Sequence, residues 1–358
     1  MRIGVDTLSL QALNRALLER QLLLRRSSLP AAAAVEHLVG MQAQAPATPY
    51  VGLWSRLEGF RPEELSELIE TREAVRIALQ RSTIHLVTAR DCLAIRPVVQ
   101  PVLDRGVKRL SGPDAEAVAA AGRALVEERP LTLGEIGALL GPEWPDRSPA
   151  ELANAVRALV PLVQVPPRGL WGRSGQARHT SAEAWLGRPL ARAREPDELV
   201  IRYLAAFGPA TARDIGIWSG LTGLRAVLER LRARLARFRD EDGRELLDLP
   251  NAPRPDPGTP APPRFLPEYD NVLLSHGDRT RIVPEQHRGL VYTENGIRAT
   301  FLVDGFVRGT WRLDRDAGAV DLQPFERLST EDELAVSEEA GRLLAFLTPP
   351  RNGGPIPR

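Results

Sequence analysis

Lysine is almost missing from this chain. One lysine, Lys108, stands against 46 arginines in 358 residues. Schiff-base chemistry therefore has only that side chain or an N-terminal amine to use, and nothing around Lys108 marks it as reactive. Cysteine is equally scarce: Cys92 is single, which excludes an internal disulfide. The five histidines, His37, His85, His179, His276 and His287, show no paired ligand spacing, so no metal is expected. Glycine-rich phosphate loops of Walker or Rossmann spacing are missing too, and no cofactor is expected. No long apolar run opens the chain, and no small-residue cleavage site follows one. The protein is read as cytoplasmic, with no membrane partner.

A strong excess of charge is also lacking. Lys+Arg 47 against Asp+Glu 46 leaves a net charge of +1, whereas nucleic-acid binders are commonly strongly basic, so the balance by itself argues against DNA. The distribution is less even. Acidic residues gather in RPEELSELIE and STEDELAVSEEAGR, while RLRARLARFR and HGDRTRI are basic, so local patches of either sign remain open.

What is present is a chain longer than one ordinary domain, with 43% hydrophobic residues to build several cores. Leucines at helical spacing over 8–24 predict a helix, and a second is expected from Ser28 as N-cap with Pro30 in its first turn. TIHLVT reads as a short strand leading into a helix over ARDCLAIRPVVQPVLDRGVKRL. A small repeat follows: TLGEIG from Thr132 resembles TARDIG from Thr211, and each places a hydroxyl three residues before a carboxylate, as a capping box requires. After each comes another helix, SPAELANAVRALVPL or GLRAVLERLRARLARFR, the latter offering Arg225, Arg230, Arg232, Arg234 and Arg237. Each copy closes on antiparallel segments, VQVPPRGLWGRSGQARHT and FRDEDGRELLDLP. Helix, turn, helix and hairpin is the winged-helix order. The proline-rich PNAPRPDPGTPAPPRF reads as a stiff connector. Beyond it, Asn295-Gly296 and Asp304-Gly305 between alternating apolar runs predict two hairpins, and residues 330–347 predict a closing helix.

The most unusual stretch is GMQAQAP, residues 40–46, with Gln42 and Gln44 on alternate positions. A carboxamide accepts through oxygen and donates through nitrogen, so two of them can orient one water without removing its proton. Such a pair is too weak for an amide or a phosphodiester. It suffices where the leaving group departs readily and the sugar becomes oxocarbenium-like, as with a cationic N7-alkylated guanine. The plain alternative is that both amides merely bond backbone where the helix gives way to the loop.

Taken in order, GMQAQAP with GLWSRL, LQRSTIHLV, RYLAAFGPATARDIGIWSGL, FLPEYDNVLLSHGDRTRI and FLVDGFVRGTW resemble the winged-helix DNA glycosylases of the AlkZ/YcaQ type, over most of the chain. The resemblance implies an α+β fold: three tandem winged-helix units in a curved arrangement with a C-terminal β-rich region. The units would be 1–112 with the QAQ motif, 113–192, 193–262 with the proline-rich linker, and 263–358. It implies that Gln42 and Gln44 are catalytic. Ser82, Thr83 and His85 would line the site, His85 being equally readable as a satisfied strand histidine. Arg81 would hold a phosphate, and Asp270, Asn271, Ser275, His276, Arg279 and Arg281 are candidates for DNA contact that local reading alone would leave as turn and surface residues.

Gln44, in place of the aspartate of the YcaQ branch, points to the AlkZ branch, which unhooks bulky natural-product adducts, including interstrand crosslinks, from guanine N7. The expected partner is double-stranded DNA carrying alkylated guanine, bound by a monomer in an open cleft, because a crosslinked base cannot be flipped freely into a closed pocket. Two other classes stay open: a non-catalytic winged-helix regulator, and a protein that sequesters a DNA-damaging metabolite.

Overall fold

The computed structural model describes residues 6–107, 113–192 and 195–348; Lys108 lies outside the described residues. In chain order the first part comprises β1 (Thr7–Leu8), α1 (Leu10–Arg20), α2 (Ala31–His37), β2 (Met41–Gln42), α3 (Thr48–Arg56), α4 (Pro62–Glu70), β3 (Ala74–Ala78), β4 (Ile84–Thr88), α5 (Ala89–Val98) and α6 (Gln100–Asp104). Next come α7 (Pro113–Glu128), α8 (Leu133–Leu140), α9 (Pro149–Leu159), β5 (Leu162–Gln164), β6 (His179–Ser181) and α10 (Ala182–Leu186). The same order recurs as α11 (Asp197–Phe207), α12 (Ala212–Ser219), α13 (Leu224–Leu231), β7 (Ala236–Asp240) and β8 (Glu245–Asp248). The last part holds β9 (Arg264–Leu266), α14 (Asn271–Leu274), α15 (Arg288–Val291), β10 (Tyr292–Thr293), β11 (Gly296–Ile297), β12 (Thr300–Val303), β13 (Phe306–Asp314), β14 (Ala319–Pro324) and α16 (Thr330–Leu347). No helix among the described residues is long and apolar enough to cross a membrane.

Local chemistry sets the helix starts. Thr132, Ser148 and Thr211 each accept from the backbone N–H three residues on, while Glu135, Glu151 and Asp214 reach back to the cap N–H, so α8, α9 and α12 all open on capping boxes. For α2 the N-cap is Pro30 rather than Ser28, and no side chain caps it. The helix expected from Gly223 to Arg239 stops at Leu231, because Ala236–Asp240 alternate between the solvent and the hairpin β7–β8. Three of the arginines expected on that helix are therefore off it: Arg232 and Arg234 lie in a 3-10 turn, and Arg237 sits on a strand and pairs with Glu245.

Long-range pairing then joins what the sequence separates. A five-stranded antiparallel sheet runs β2-β4-β3-β5-β6, so strands from either side of residue 112 share one ladder. At the other end, β1 adds in parallel to β7, and Arg20 meets Asp248 at 2.7 and 2.8 Å with both side chains fully buried, which places α1 against the α11–β8 unit. The proline-rich run lies along α1: Arg20 Nε donates to the Pro253 carbonyl (3.1 Å) and Arg15 Nε to that of Thr259 (2.6 Å). The principal apolar core draws on residues from Leu17 to Val307. The C-terminal sheet, β14-β13-β12-β9, is covered by α16 through a separate core built around Phe265, Phe301 and Leu343.

The two expected hairpins form with different geometry. Asp304 and Gly305, at φ +46° and +81°, make the two-residue turn between β12 and β13. The tip docks on α1, where Asn14 Nδ2 donates to the Gly305 carbonyl (2.8 Å) and Arg15 pairs with the Asp304 carboxylate. In the other hairpin Thr293 pairs with Gly296, so the turn residues are Glu294 and Asn295, one position earlier than expected. Gly296 is instead needed on the strand: a Cβ there would stand 2.2 Å from the Tyr269 hydroxyl. Glu294 and Asn295 form an exposed tip.

Candidate active site

The glutamine motif is a strand held on both edges. Gln42 faces His85 across the antiparallel pair β2–β4, and Ala43 N–H extends the ladder to the Ile84 carbonyl at 2.8 Å. The chain enters at Gly40 with φ +86°, where a Cβ would lie 2.6 Å from Val87 Cγ1, so only glycine fits. Three side chains fasten the backbone. Asn271 Nδ2 donates to the Gly40 carbonyl (2.9 Å), Arg76 Nη2 to that of Ala43 (2.7 Å), and Thr48 Oγ1 to that of Ala45 (2.9 Å). Gly52 of GLWSRL clears space for the motif, since a Cβ there would sit 2.4 Å from Met41 Cε.

Met41 and Ala43 enter the core, strand alternation turns Gln42 the other way, and Gln44 follows in a bend just past β2. They are not equivalent. Gln44 is exposed, and its Oε1 meets Ile84 N–H only at 3.5 Å, whereas Gln42 is 7% exposed and its Oε1 accepts from Arg81 Nη2 at 2.7 Å.

Arg81 sits in a tight loop between β3 and β4, where Arg81 and Ser82 both take positive φ, +54° and +60°. Its Nη1 donates to the Trp218 carbonyl in the last turn of α12. Burial, with Arg279 nearby, lowers the guanidinium to about 10, which leaves it charged at neutral pH. Thr83 Oγ1 donates to the Gln80 carbonyl (3.1 Å), and the Ser82 carbonyl accepts from Arg157 Nη2 (2.7 Å). His85 donates from Nδ1 to the Thr83 carbonyl (2.9 Å). Burial, then the Arg81 charge, depresses its imidazole to about 3. A base so weak stays neutral and takes no proton at working pH. Gln42, Gln44, Arg81, Ser82, Thr83 and His85 thus converge on one corner of the sheet.

The DNA-contact candidates of the EYDNVLLSHGDRTR stretch are placed otherwise. Asp270 is buried in a two-bond ion pair with Arg56, both bonds 2.8 Å, and Asn271 supports Gly40 from within. Ser275, His276 and Arg281 form a buried chain: Arg281 Nη1 donates to His276 Nε2 (3.0 Å), and His276 Nδ1 faces Ser275 Oγ (2.9 Å). Arg281 also donates to the Pro209 carbonyl (2.6 Å). These side chains turn inward. Arg279 alone of the set is half-exposed; its guanidinium lies 4.9 Å from the centre of the Tyr292 ring and donates to the Leu273 carbonyl. It borders a cleft of about 660 Å³ lined also by Arg213, Arg244, Asp278 and Arg288, which neither glutamine touches.

Arg76 escapes sequence reading. The signal was available: an arginine in the middle of the apolar AVRIA is a cation that must be buried and partnered. It is 2% exposed, and burial lowers it to about 10.

A family model described as DNA glycosylase AlkZ-like matches residues 35–346. No curated protein sequence matches the chain. Among solved structures, the fold is similar to that of Streptomyces sahachiroi DNA glycosylase AlkZ, with a TM-score of 0.79 over 95% of this chain and 97% of that one, at 19% sequence identity. Since the family match begins at Val35, ahead of the glutamine motif, and runs to Phe346 in α16, the chain belongs to the AlkZ-like DNA glycosylases.

Proposed function

We propose that this protein is a monofunctional DNA glycosylase that releases bulky N7-alkylguanine adducts, interstrand crosslinks among them, in DNA repair or in self-resistance to a genotoxic natural product. The observation that carries the reading is the pair of uncharged amides at the end of a pinned edge strand, Gln42 opposite His85 and Gln44 beside Ile84, next to an imidazole too weak to act as base. Water is oriented by the carboxamides of Gln42 and Gln44 and attacks C1′ as the glycosidic bond opens. The bond's electron pair goes to the cationic purine, which leaves neutral, and the water's proton passes to solvent. No lysine lies among these residues to form a Schiff base, so the product is an intact abasic strand.

In this reading the three helical parts are tandem winged-helix units, set in a curve with the β-rich C-terminal region and binding duplex DNA as a monomer. Arg225 and Arg234, exposed at either end of the α13 segment, and half-exposed Arg279 are the phosphate contacts we assign. The exposed Glu294-Asn295 tip is the element free to enter a groove, since the Asp304-Gly305 tip is spent on α1.

The test is a duplex carrying an N7-alkylguanine monoadduct or crosslink, with abasic sites revealed by heat or alkali. Wild type produces them, and the Gln42→Ala/Gln44→Ala variant does so at least about 100-fold more slowly. Unchanged abasic-site formation in that variant removes the mechanism; none from wild type on several lesions, with sequence-specific DNA binding retained, favours a regulator.

A further inference from the structure

The geometry points to Arg81 as a positioning residue that locks the amide of Gln42 with its oxygen inward, and so divides the work between the two glutamines. The inference rests on the proposed glycosylase reading. A guanidinium carries five N–H donors and no acceptor, so the Gln42 atom 2.7 Å from Arg81 Nη2 must be the carbonyl oxygen. With that acceptor engaged, Gln42 presents its NH2 group. A water held by this NH2 receives a hydrogen bond at oxygen, and its own protons need another acceptor. Gln44 Oε1 is available: the residue is exposed, and its contact with Ile84 N–H is stretched to 3.5 Å. Gln42 therefore donates to the water and Gln44 accepts from it, which leaves the remaining lone pair of the oxygen aimed at the sugar.

The same guanidinium reaches a second element. Its Nη1 donates to the carbonyl of Trp218, two residues before Gly220, where α12 turns toward α13. Gly220 takes φ +80°, and a Cβ there would come within 3.4 Å of Arg81 N and Cα, so the turn rests directly on the Arg81 backbone. Arg105 Nη1 braces the same point by donating to the Gly220 carbonyl (2.9 Å). Arg81 is thus a half-buried strut from the helix–turn–helix to the reacting amide, and the seating of α12–α13 sets the orientation of Gln42.

The experiment compares Arg81→Met and Arg81→Lys with wild type and Gln42→Ala. Single-turnover base release at saturating enzyme is measured beside the Kd for the lesion duplex and its salt dependence. Arg81→Met is expected to release base on the order of 10- to 100-fold more slowly, the range in which partners of catalytic groups act. Kd and salt slope stay at wild-type values, and Arg81→Lys, keeping one donor for Gln42, recovers part of the rate. Combined with Gln42→Ala, Arg81→Met adds no further loss.

A reading independent of activity is the side-chain amide signal of Gln42 in 15N-labelled protein, identified by its disappearance in Gln42→Ala. It shifts in Arg81→Met while the Gln44 signal stays. A wild type that releases no base, with the Gln42 signal still moved by Arg81→Met, removes the glycosylase reading and leaves the strut standing. An active wild type whose Arg81→Met variant keeps its rate, loses affinity with a reduced salt slope, or loses rate additively with Gln42→Ala overturns the strut. If Arg81→Met does not fold, Arg81→Lys carries the comparison, and an unmoved Gln42 signal there with full rate overturns it equally.

Discussion

Arg56 and Asp270, 214 positions apart in sequence, face each other through two N–H···O bonds of 2.8 Å with neither side chain open to solvent. Asp270 also accepts from Val272 N–H and so caps α14, next to Asn271, which holds the motif backbone. Removing one charge strands the other in the interior. Asp270→Asn is expected to lower stability by about 3 to 5 kcal/mol in denaturant unfolding. The Arg56→Met/Asp270→Leu double variant should lose less than either single change; a double variant as poor as the sum of the singles refutes the argument.

Arg76 separates stability from activity. Its Nε and Nη1 are buried without a partner, so the cation contributes little to folding, yet Nη2 holds the Ala43 carbonyl between the two glutamines. Arg76→Met is expected to move the melting temperature by only a few degrees and to slow base release by about 10-fold or more. Loss of stability with an unchanged rate in the surviving fraction would reverse that assignment.

Two pH responses follow from the buried histidines. His85 and His179 are depressed by burial to about 3 and 4 from 6.5, and His276 is lowered by burial beside Arg281. The unfolded chain binds their protons first, so the stability they confer is complete above 6.5 and drains away as pH falls toward the folded values. The melting temperature should decline steadily from pH 6.5 to 4.5. Base release should stay within about twofold from pH 6.5 to 9, because His85 and Arg81 beside the glutamines lie near 3 and 10, outside that range. A rate rising steeply through pH 7 would reveal a general base.

The hairpins should answer differently to mutation. Replacing Glu294 and Asn295 with glycines is expected to leave melting unaltered and to weaken lesion-DNA binding, read by fluorescence anisotropy. Gly305→Ala is expected to destabilise by roughly 2 kcal/mol or more, since its Cβ would approach Asn14 Oδ1 at 2.5 Å at a positive φ. Equal effects on binding from both would contradict the view that the Asp304-Gly305 tip is committed to α1.

Signals confined to a few neighbouring residues were legible in the sequence. The capping boxes at Thr132 and Thr211, the β7–β8 hairpin and the Asp304-Gly305 turn need only adjacent atoms, and all formed. The convergence of Gln42 and Gln44 with Arg81, Ser82, Thr83 and His85 was also anticipated as a neighbourhood. What sequence reading missed depends on partners far along the chain. No strand was expected over AVRIA, but Ala74–Ala78 is a strand because β4 and β5 flank it. Asn295-Gly296 shifted by one residue because the Tyr269 hydroxyl claims the space beside Gly296. Arg281, at the end of the polar run before Ile282, gave no hint that it would be buried against His276 and Pro209.

The parallel pairing of Thr7–Leu8 with Arg239–Asp240 has a temporal side. A ribosome releases this opening strand and α1 early, but the edge they join, and the carboxylate that neutralises Arg20, belong to residues some 230 positions later. Until Asp248 emerges, a leucine-rich amphipathic segment travels unescorted. Nascent chains stalled before that residue should therefore recruit holdase chaperones at their leading end, and release them once β8 is made.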